Sequence, residues 1–148
     1  MKKLITICLL LAMTFTTIAQ TRKEMHDYIT SFLSYKSVEY ELMAGITSTM
    51  AVDKINFSDC EMNFKIFEKH GDDVDSYIIT IPFTKVNKIE MGKNALEFYV
   101  IDFSTQEKII KKKYKNGNIE YNKLLSLPLE YEDKIALDYF KKLNMSCK

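Results

Sequence analysis

Residues 55–67 read INFSDCEMNFKIF, and this stretch decides the fold class. Its second half alternates polar residues with the apolar residues Met62, Phe64 and Ile66. A period of two is typical of a β-strand with one buried face, and Cys60 shares the parity of the apolar set. The apolar parity switches at Ser58–Asp59, which predicts a bulge or a bend there. We therefore expect a core strand, over which the last helix of the chain closes.

Residues 1–19 have the pattern of a secretory signal peptide. Lys2 and Lys3 precede a short apolar run, and Ala19 supplies the small residue expected before a cleavage site. A membrane anchor is the alternative, but the run is too short to cross about 30 Å of hydrocarbon comfortably. A mature chain that begins at Gln20 resembles exported proteins of Bacteroides- and Flavobacterium-type bacteria. The leader predicts a periplasmic or secreted protein, one domain over residues 20–148, with no stable membrane span after cleavage.

Two cysteines, Cys60 and Cys147, remain once cleavage removes Cys8. In an oxidising compartment they either pair or stay as two free thiols. We predict the disulfide, because Cys60 has inward parity and Cys147 lies beyond Leu143 on the extension of the last helix's apolar stripe. The bond would tie the tail over the sheet and leave no thiol nucleophile.

Composition limits the classes of partner. The full chain has 21 basic and 20 acidic residues, and loss of Lys2 and Lys3 leaves 19 basic ones. A net charge near zero gives no electrostatic reason to expect nucleic acid. Arg22 is the only arginine, so a phosphate or carboxylate site would have to use lysines. We expect a partner that is a protein, a glycan or a lipid surface.

Two amphipathic helices are predicted at the ends of the mature chain. The first covers residues 21–36, and its apolar stripe has helical spacing: Met25, Tyr28, Ile29, Phe32 and Leu33. The second covers Glu132–Met145, with acidic residues in its first turn and lysines in its last, as the helix dipole favours. Its predicted buried stripe is Ile135, Ala136, Tyr139, Phe140 and Leu143. His26 lies beside the first stripe, and we interpret it as an exposed helix residue.

The region between the helices has the pattern of short strands joined by turns. The predicted strands include Tyr77–Ile81, Val86–Met91, Ala95–Phe103 and Lys108–Tyr114. Ala95–Phe103 is apolar on both faces, which indicates a central or helix-covered strand. Asn116-Gly117 predicts a tight turn, and His70 is placed in the exposed polar turn around Gly71. Val38–Met50 fits both a strand and a helix, with Gly45 slightly against a long helix.

Runs of strands without intervening helices predict the α+β class. We expect a strongly bent antiparallel sheet or half-barrel of about five to seven strands, with an N-terminal helix and a closing C-terminal helix. YIITIPFTKVNKI (77–89), ALEFYVIDF (95–103) and the last helix resemble the pleckstrin-homology-like barrel over about Cys60–Cys147. In that family the last helix plugs one end of the sheet; its signature tryptophan is absent here, and the first helix is extra. A cystatin-like sheet wrapped round the first helix is the alternative.

The run KIIKKKYKNG at residues 108–117 is the most conspicuous charged feature. On an extended strand, alternate side chains point the same way, so one side carries Lys111, Lys113 and Lys115. This arrangement offers a patch for an anion, a lipid headgroup or a glycan. The alternative, which the balanced overall charge favours, is an edge strand that lysines protect against pairing with another chain.

No motif indicates catalysis. The chain has no Gly-rich phosphate loop, no HExxH and no GxSxG, and neither histidine adjoins a cysteine. We predict no catalytic residue, no cofactor and no metal. The predicted function is a non-catalytic binding or interaction module. The alternatives are a small secreted enzyme and a protease inhibitor of the cystatin type, which would need a wedge of exposed loop and terminus.

Overall fold

The computed structural model describes residues 21–34, 37–42, 46–93 and 99–148, so the predicted leader lies outside the described residues. These ranges contain two helices and nine strands. A 3-10 turn, Phe83–Lys85, joins the fourth and fifth strands. The elements are α1 (21–33), β1 (Ser37–Leu42), β2 (Ile46–Ser58), β3 (Glu61–His70), β4 (Asp73–Pro82), β5 (Val86–Lys93), β6 (Tyr99–Thr105), β7 (Ile110–Tyr114), β8 (Ile119–Asn122), β9 (Leu124–Leu129) and α2 (Lys134–Ser146).

Antiparallel pairing sorts these strands into two sheets. Sheet A has the order β1-β2-β3-β4-β7-β8, and sheet B has the order β5-β6-β9. The α+β class, with antiparallel strands and a helix at each end, is confirmed. The strand number is higher than expected, because β1 pairs with the start of β2 within the ambiguous region Val38–Met50, of which residues 43–45 lie outside the described residues, and β9 pairs with β6. The resemblance to the pleckstrin-homology-like barrel stays a prediction.

Residues 55–67 form a hairpin rather than one strand. Ser58 at the end of β2 pairs with Glu61 at the start of β3 across a two-residue turn. Asp59 in this turn has a φ of 51°, a left-handed conformation that Asp adopts more readily than most residues. The predicted bend at Ser58–Asp59 is therefore this turn. β3 keeps the predicted alternation, with buried Met62, Phe64 and Ile66.

One hydrophobic core contains side chains from both sheets and both helices. The Phe103 ring is fully buried in this core, with ring centroids 6.3 Å from Phe83 and 5.2 Å from Phe140, both edge-to-face. These aromatic contacts connect β6, the 3-10 turn and α2. Val100 and Ile101 point to opposite faces and are both buried, and β6 lies between β5 and β9. The prediction of a central strand is confirmed for residues 99–103, whereas residues 95–98 of the predicted strand lie outside the described residues.

Each helix packs one face on this core. The buried residues of α1 are Met25, Ile29, Phe32 and Leu33, as predicted. The buried residues of α2 are Ala136, Phe140, Leu143 and Asn144. Ile135 is 58% exposed, so its predicted burial is wrong, because the contact face of α2 is rotated towards Asn144. No helix in the described ranges has the length and apolar character to cross a membrane.

Candidate anion-binding face

The predicted Cys60–Cys147 disulfide is present, with Cα atoms 5.6 Å apart. Cys60 belongs to the two-residue turn between β2 and β3, and Cys147 is the C-cap of α2. This separation lies within the usual range for a disulfide. The bond joins the end of the chain to the β2–β3 turn, and it removes both thiols from the groups that could act as nucleophiles.

The lysine-rich strand β7 is not an edge strand. It lies between β4 and β8, and it pairs with both. The interpretation that its lysines protect a sheet edge is therefore wrong, since β8 occupies that edge. The lysines of β7 instead lie within a face four strands wide.

One row of side chains crosses these four strands. Lys65 pairs with Ile78, Ile78 pairs with Lys113, and Lys113 pairs with Ile119. Cross-strand partners lie on the same side of a sheet, so this Lys–Ile row alternates cationic and aliphatic side chains. Ile78 is 45% exposed and Ile119 is 46% exposed. The row therefore faces solvent on the side of sheet A away from the core, which we call the outer face.

The rows of cross-strand partners on either side of the Lys–Ile row add further cationic, aromatic and small polar side chains to the outer face. On one side of the Lys–Ile row, Lys111 pairs with Thr80 and with Tyr121, which is 51% exposed. On the other side, Phe67 pairs with Ser76. A depression of about 400 Å³ lies on this part of the sheet. Its lining includes Lys65, Phe67, Ser76, Ile78, Lys113 and Lys115.

The lysines of the outer face lack a carboxylate partner in the part of the chain that the structure describes. Elsewhere Lys23, Lys88 and Lys142 each lie 2.7 Å from a carboxylate oxygen, but no such ion pair forms at Lys65, Lys111, Lys113 or Lys115. Asp53 is the cross-strand neighbour of Lys65, and the two side chains form no ion pair. The Lys65 Nζ instead lies 4.3 Å from the Phe67 ring centroid, in cation–π geometry.

Lys112 belongs to the opposite side of β7. Its Nζ lies 3.7 Å from the ring centroid of Tyr77 and 4.8 Å from that of Tyr114. The Tyr114 hydroxyl donates to Glu120 Oε2 at 2.9 Å. The lysine run therefore divides by parity, and Lys112 binds aromatic rings while its neighbours face solvent.

A polar network at the ends of β2 and β3 contains a serine, a histidine and a carboxylate. Ser48 Oγ lies 2.7 Å from His70 Nδ1, and His70 Nε2 lies 3.6 Å from Glu68 Oε1. His70 is the last residue of β3 and is half-buried, so its predicted place in an exposed turn is wrong. These groups can serve acyl transfer in hydrolases. Ser48, however, is 0% exposed, and a substrate cannot reach its hydroxyl in this structure.

His26 is half-buried, so the prediction of an exposed helix residue is wrong. Its ring stacks on Phe57 with centroids 4.0 Å apart. Burial lowers the pKa of His26, and the nearby Arg22 guanidinium lowers it further. Arg22 donates to Asp59 Oδ1 at 3.1 Å and to the Ser146 carbonyl at 2.9 Å. Arg22 thus holds α1 against the β2–β3 turn and the end of α2, which are the two segments that the disulfide joins.

The remaining candidate sites are weaker. Within the described ranges, no three His, Cys, Asp or Glu side chains are arranged to hold a metal ion. A cavity beside Phe32, Met50 and Leu129 has a volume of about 10 Å³, which is room for no more than one water. A depression of about 220 Å³ near Glu107 and Lys148 carries both signs of charge. The outer face is the candidate site because the residues that line its depression include lysines and no carboxylate.

The sequence predicted only part of this face. Parity placed Lys111 and Lys113 on one side of their strand, and their partners Thr80 and Ile78 confirm it. The contributions of Lys65, Ile78, Ile119 and Tyr121 were missed. Period-two parity could have placed Lys65 and Ile78 on the solvent side of their strands, but only the strand register brings them beside Lys113.

A comparison of the chain with protein-family models, with curated proteins and with solved structures found no match. Any assignment of function therefore depends on the chemistry of the residues themselves.

Proposed function

We propose that the protein is a non-catalytic binding module that holds an anionic ligand on the outer face of sheet A. The observation that carries the proposal is the Lys–Ile row, in which Lys65 and Lys113 alternate with exposed isoleucines across four strands. Lys111 and Lys115 flank this row. Cation and apolar surface therefore meet at one place on a chain whose overall charge is close to zero.

The spacing of the lysines favours their joint action. Neighbouring strands lie about 4.8 Å apart, so the backbones of Lys65 and Lys113, two strands apart, are about 10 Å apart. This distance is close to the Debye length of about 8 Å at physiological ionic strength. The potentials of the lysines therefore overlap over the depression between them, and a ligand with several negative charges gains from more than one lysine.

The residue type indicates how the anion is held. Lysine is a flexible point charge, whereas arginine offers a planar fork that matches one carboxylate or phosphate. A face built from lysines fits a ligand with distributed charge better than a single oriented anion. We infer that the ligand is extended and carries several anionic groups.

Direct binding of two soluble polyanions, heparin and poly-L-glutamate, tests the proposal. We expect binding at low salt that weakens as salt is raised. The combined variant Lys65→Gln, Lys113→Gln and Lys115→Gln should bind about 100-fold more weakly, on the basis of about 1 kcal/mol for each lysine near an anionic surface. The combined variant Lys134→Gln, Lys141→Gln and Lys148→Gln removes three exposed lysines at α2 and just beyond it; it is the matched control and should bind as wild type does.

Two outcomes would contradict the proposal. One is that the wild-type protein binds neither polyanion at low salt. The other is that the outer-face variant and the control variant, which each remove three lysines, lose the same affinity, which would mean that total charge matters and the outer face does not. Circular dichroism of each variant shows whether the fold is intact.

A small hydrolase is the rival function, and the Ser48–His70 contact is the observation that favours it. The burial of Ser48 stands against it. Incubation with a serine-directed fluorophosphonate decides between the two. Labelling that Ser48→Ala abolishes would establish the enzyme, and the absence of labelling leaves the network with its structural role of joining β2 to β3.

Export from the cytoplasm is part of the proposal. The leader pattern of residues 1–19 supports it, and the Cys60–Cys147 bond is of the kind that persists in oxidising compartments. Intact-mass analysis of protein isolated from its native host should give a chain that begins at Gln20. A full-length mass, or a mass with a diacylglycerol adduct, would overturn this part.

A further inference from the structure

We propose that the anionic ligand of the outer face is a lipid surface, a bilayer that contains acidic phospholipids. This inference rests on the proposed function and adds the class of ligand. It depends on the aliphatic side chains between the lysines, which a purely electrostatic site would not need.

The outer face carries four exposed apolar side chains. Val74 is 63% exposed, and the side chains of Ile78, Ile119 and Tyr121 are each about half exposed. Val74 pairs with Lys69, which shares the parity of Lys65, so these four side chains lie on the lysine side of the sheet. Contiguous exposed apolar residues with a polar rim mark interaction sites.

A bilayer interface matches this combination of side chains. Aliphatic groups gain free energy when they leave water for the headgroup–acyl boundary, while lysines attract acidic lipids. Long lysine side chains can lie along apolar neighbours and keep their ammonium groups at the headgroups. Tyrosine, such as the exposed Tyr121, is enriched at membrane interfaces. Apolar contact and basic charge together supply the two signals that stable peripheral binding requires.

An acidic polysaccharide fits the same face less well. Sugar rings need a free aromatic face for stacking, and the Lys65 Nζ already lies over the Phe67 ring at 4.3 Å. Of the four exposed apolar side chains only Tyr121 carries a ring, whereas Val74, Ile78 and Ile119 are aliphatic and match acyl chains better than sugars. A second copy of the chain is also disfavoured, because pairing of two outer faces would bring Lys65 and Lys113 against the same unpaired lysines.

Vesicle co-sedimentation of the folded, oxidised protein tests the inference. Vesicles of phosphatidylcholine with about 30% phosphatidylglycerol are compared with vesicles of phosphatidylcholine alone. We expect binding to the acidic vesicles, weakened by salt, and little binding to the neutral ones. Heparin and poly-L-glutamate serve as soluble anions of other classes.

The charge-preserving variant Ile78→Ser, Ile119→Ser separates lipid from soluble anion. It should bind acidic vesicles at least about 10-fold more weakly, because two side chains that would enter the interface are lost. Its affinity for heparin should stay within about twofold of wild type, since its lysines remain. Ile135→Ser, on exposed Ile135 of α2, is the matched control and should bind vesicles as wild type does.

The possible failures differ in what they overturn. Binding of heparin or poly-L-glutamate without binding of acidic vesicles would overturn the lipid inference and leave the anion-binding function in place. Unchanged vesicle binding by the isoleucine variant would overturn the role of the apolar side chains, and with it the inference. Wild-type protein that binds none of the three probes would overturn both. The wild-type comparison needs no variant, so a misfolded mutant cannot leave the question open.

Discussion

The hydroxyl of Tyr28 donates a hydrogen bond of 3.1 Å to Oδ2 of Asp133, 105 residues away in the chain. The other carboxylate oxygen of Asp133 caps α2, accepting from the backbone N–H groups of Ile135 and Ala136 at 2.9 and 3.1 Å. One carboxylate therefore starts α2 and holds it against α1. Loss of Asp133 should remove both interactions together.

We predict that Asp133→Ala lowers the free energy of unfolding by about 2–3 kcal/mol, of which about 1–2 kcal/mol is the lost helix cap. Tyr28→Phe should lower it by about 1 kcal/mol, because only the hydrogen bond is lost. Urea denaturation measures both changes. The double variant should lose less free energy of unfolding than the sum of the losses in the two single variants, since each mutation removes the same hydrogen bond. Full additivity would mean that the Tyr28–Asp133 bond contributes nothing.

The disulfide should account for a large part of the stability. Cys60 and Cys147 are 87 residues apart, and a loop of this length corresponds to a stabilisation of up to about 4.5 kcal/mol from chain entropy. Reduction, or the paired variant Cys60→Ser and Cys147→Ser, should lower the urea midpoint accordingly. Thiol titration of the denatured, unreduced protein checks the bond directly. Two free thiols per chain would refute it.

Acid should destabilise the fold through His26. Burial against Phe57 lowers the pKa of this side chain, so the unfolded chain takes up a proton at a pH where the folded chain does not. The free energy of unfolding is therefore highest, as far as His26 determines it, above about pH 6.5, the usual pKa of histidine. It declines as the pH falls from there through the lowered pKa of the folded state. His26→Phe keeps an aromatic stack without a titrating group. Its unfolding free energy should fall less than that of wild type between pH 7 and pH 5, and equal slopes would count against His26.

Gly117 should be required for the β7–β8 hairpin. Its φ is 92°, a region that residues with a Cβ rarely adopt, and its N–H donates to the Tyr114 carbonyl at 3.0 Å. A Cβ at this position would meet no atom within 4 Å, so the effect of Gly117→Ala comes from the backbone alone. We expect a loss of about 1–2 kcal/mol. In Gly117→Ala, hydrogen exchange should accelerate more in β8 than in β3, which would place the loss of stability at the turn. A uniform acceleration would indicate that the turn is not the weak point.

The spacing of apolar residues predicted the helices and strands whose formation depends least on what packs against them. Both helices and the alternation of β3 follow from residue spacing, because one buried face imposes the period whatever covers it. The turn at Asp59–Cys60 was read as a bend within a strand, since it has no glycine and its left-handed residue is an aspartate. β9 was missed because LLSLPL does not alternate and contains Pro128, which an edge strand of sheet B tolerates.

Relations between distant elements were harder to predict. The Cys60–Cys147 pairing could be inferred, because only two cysteines lie outside the predicted leader. The Lys–Ile row could not, since it depends on the registers of three strand pairs, and a slip of one residue in any pair would send side chains to the opposite face. The burial of Ile135 was overestimated because spacing defines a stripe on a helix but not its rotation against the core.

The strand order has a consequence for how the chain is made. β4 finds its neighbour β7 only after β5 and β6 of the other sheet have been synthesised, and β6 must wait for β9. The strands β1–β6 have therefore been synthesised before either sheet can be completed, and Cys147 follows its partner Cys60 by 87 residues. Pairing between distant segments is also slow. The nascent polypeptide thus exposes the unpaired edges of β4 and β6 until β7 and β9 have been synthesised, and unpaired strand edges are prone to aggregation.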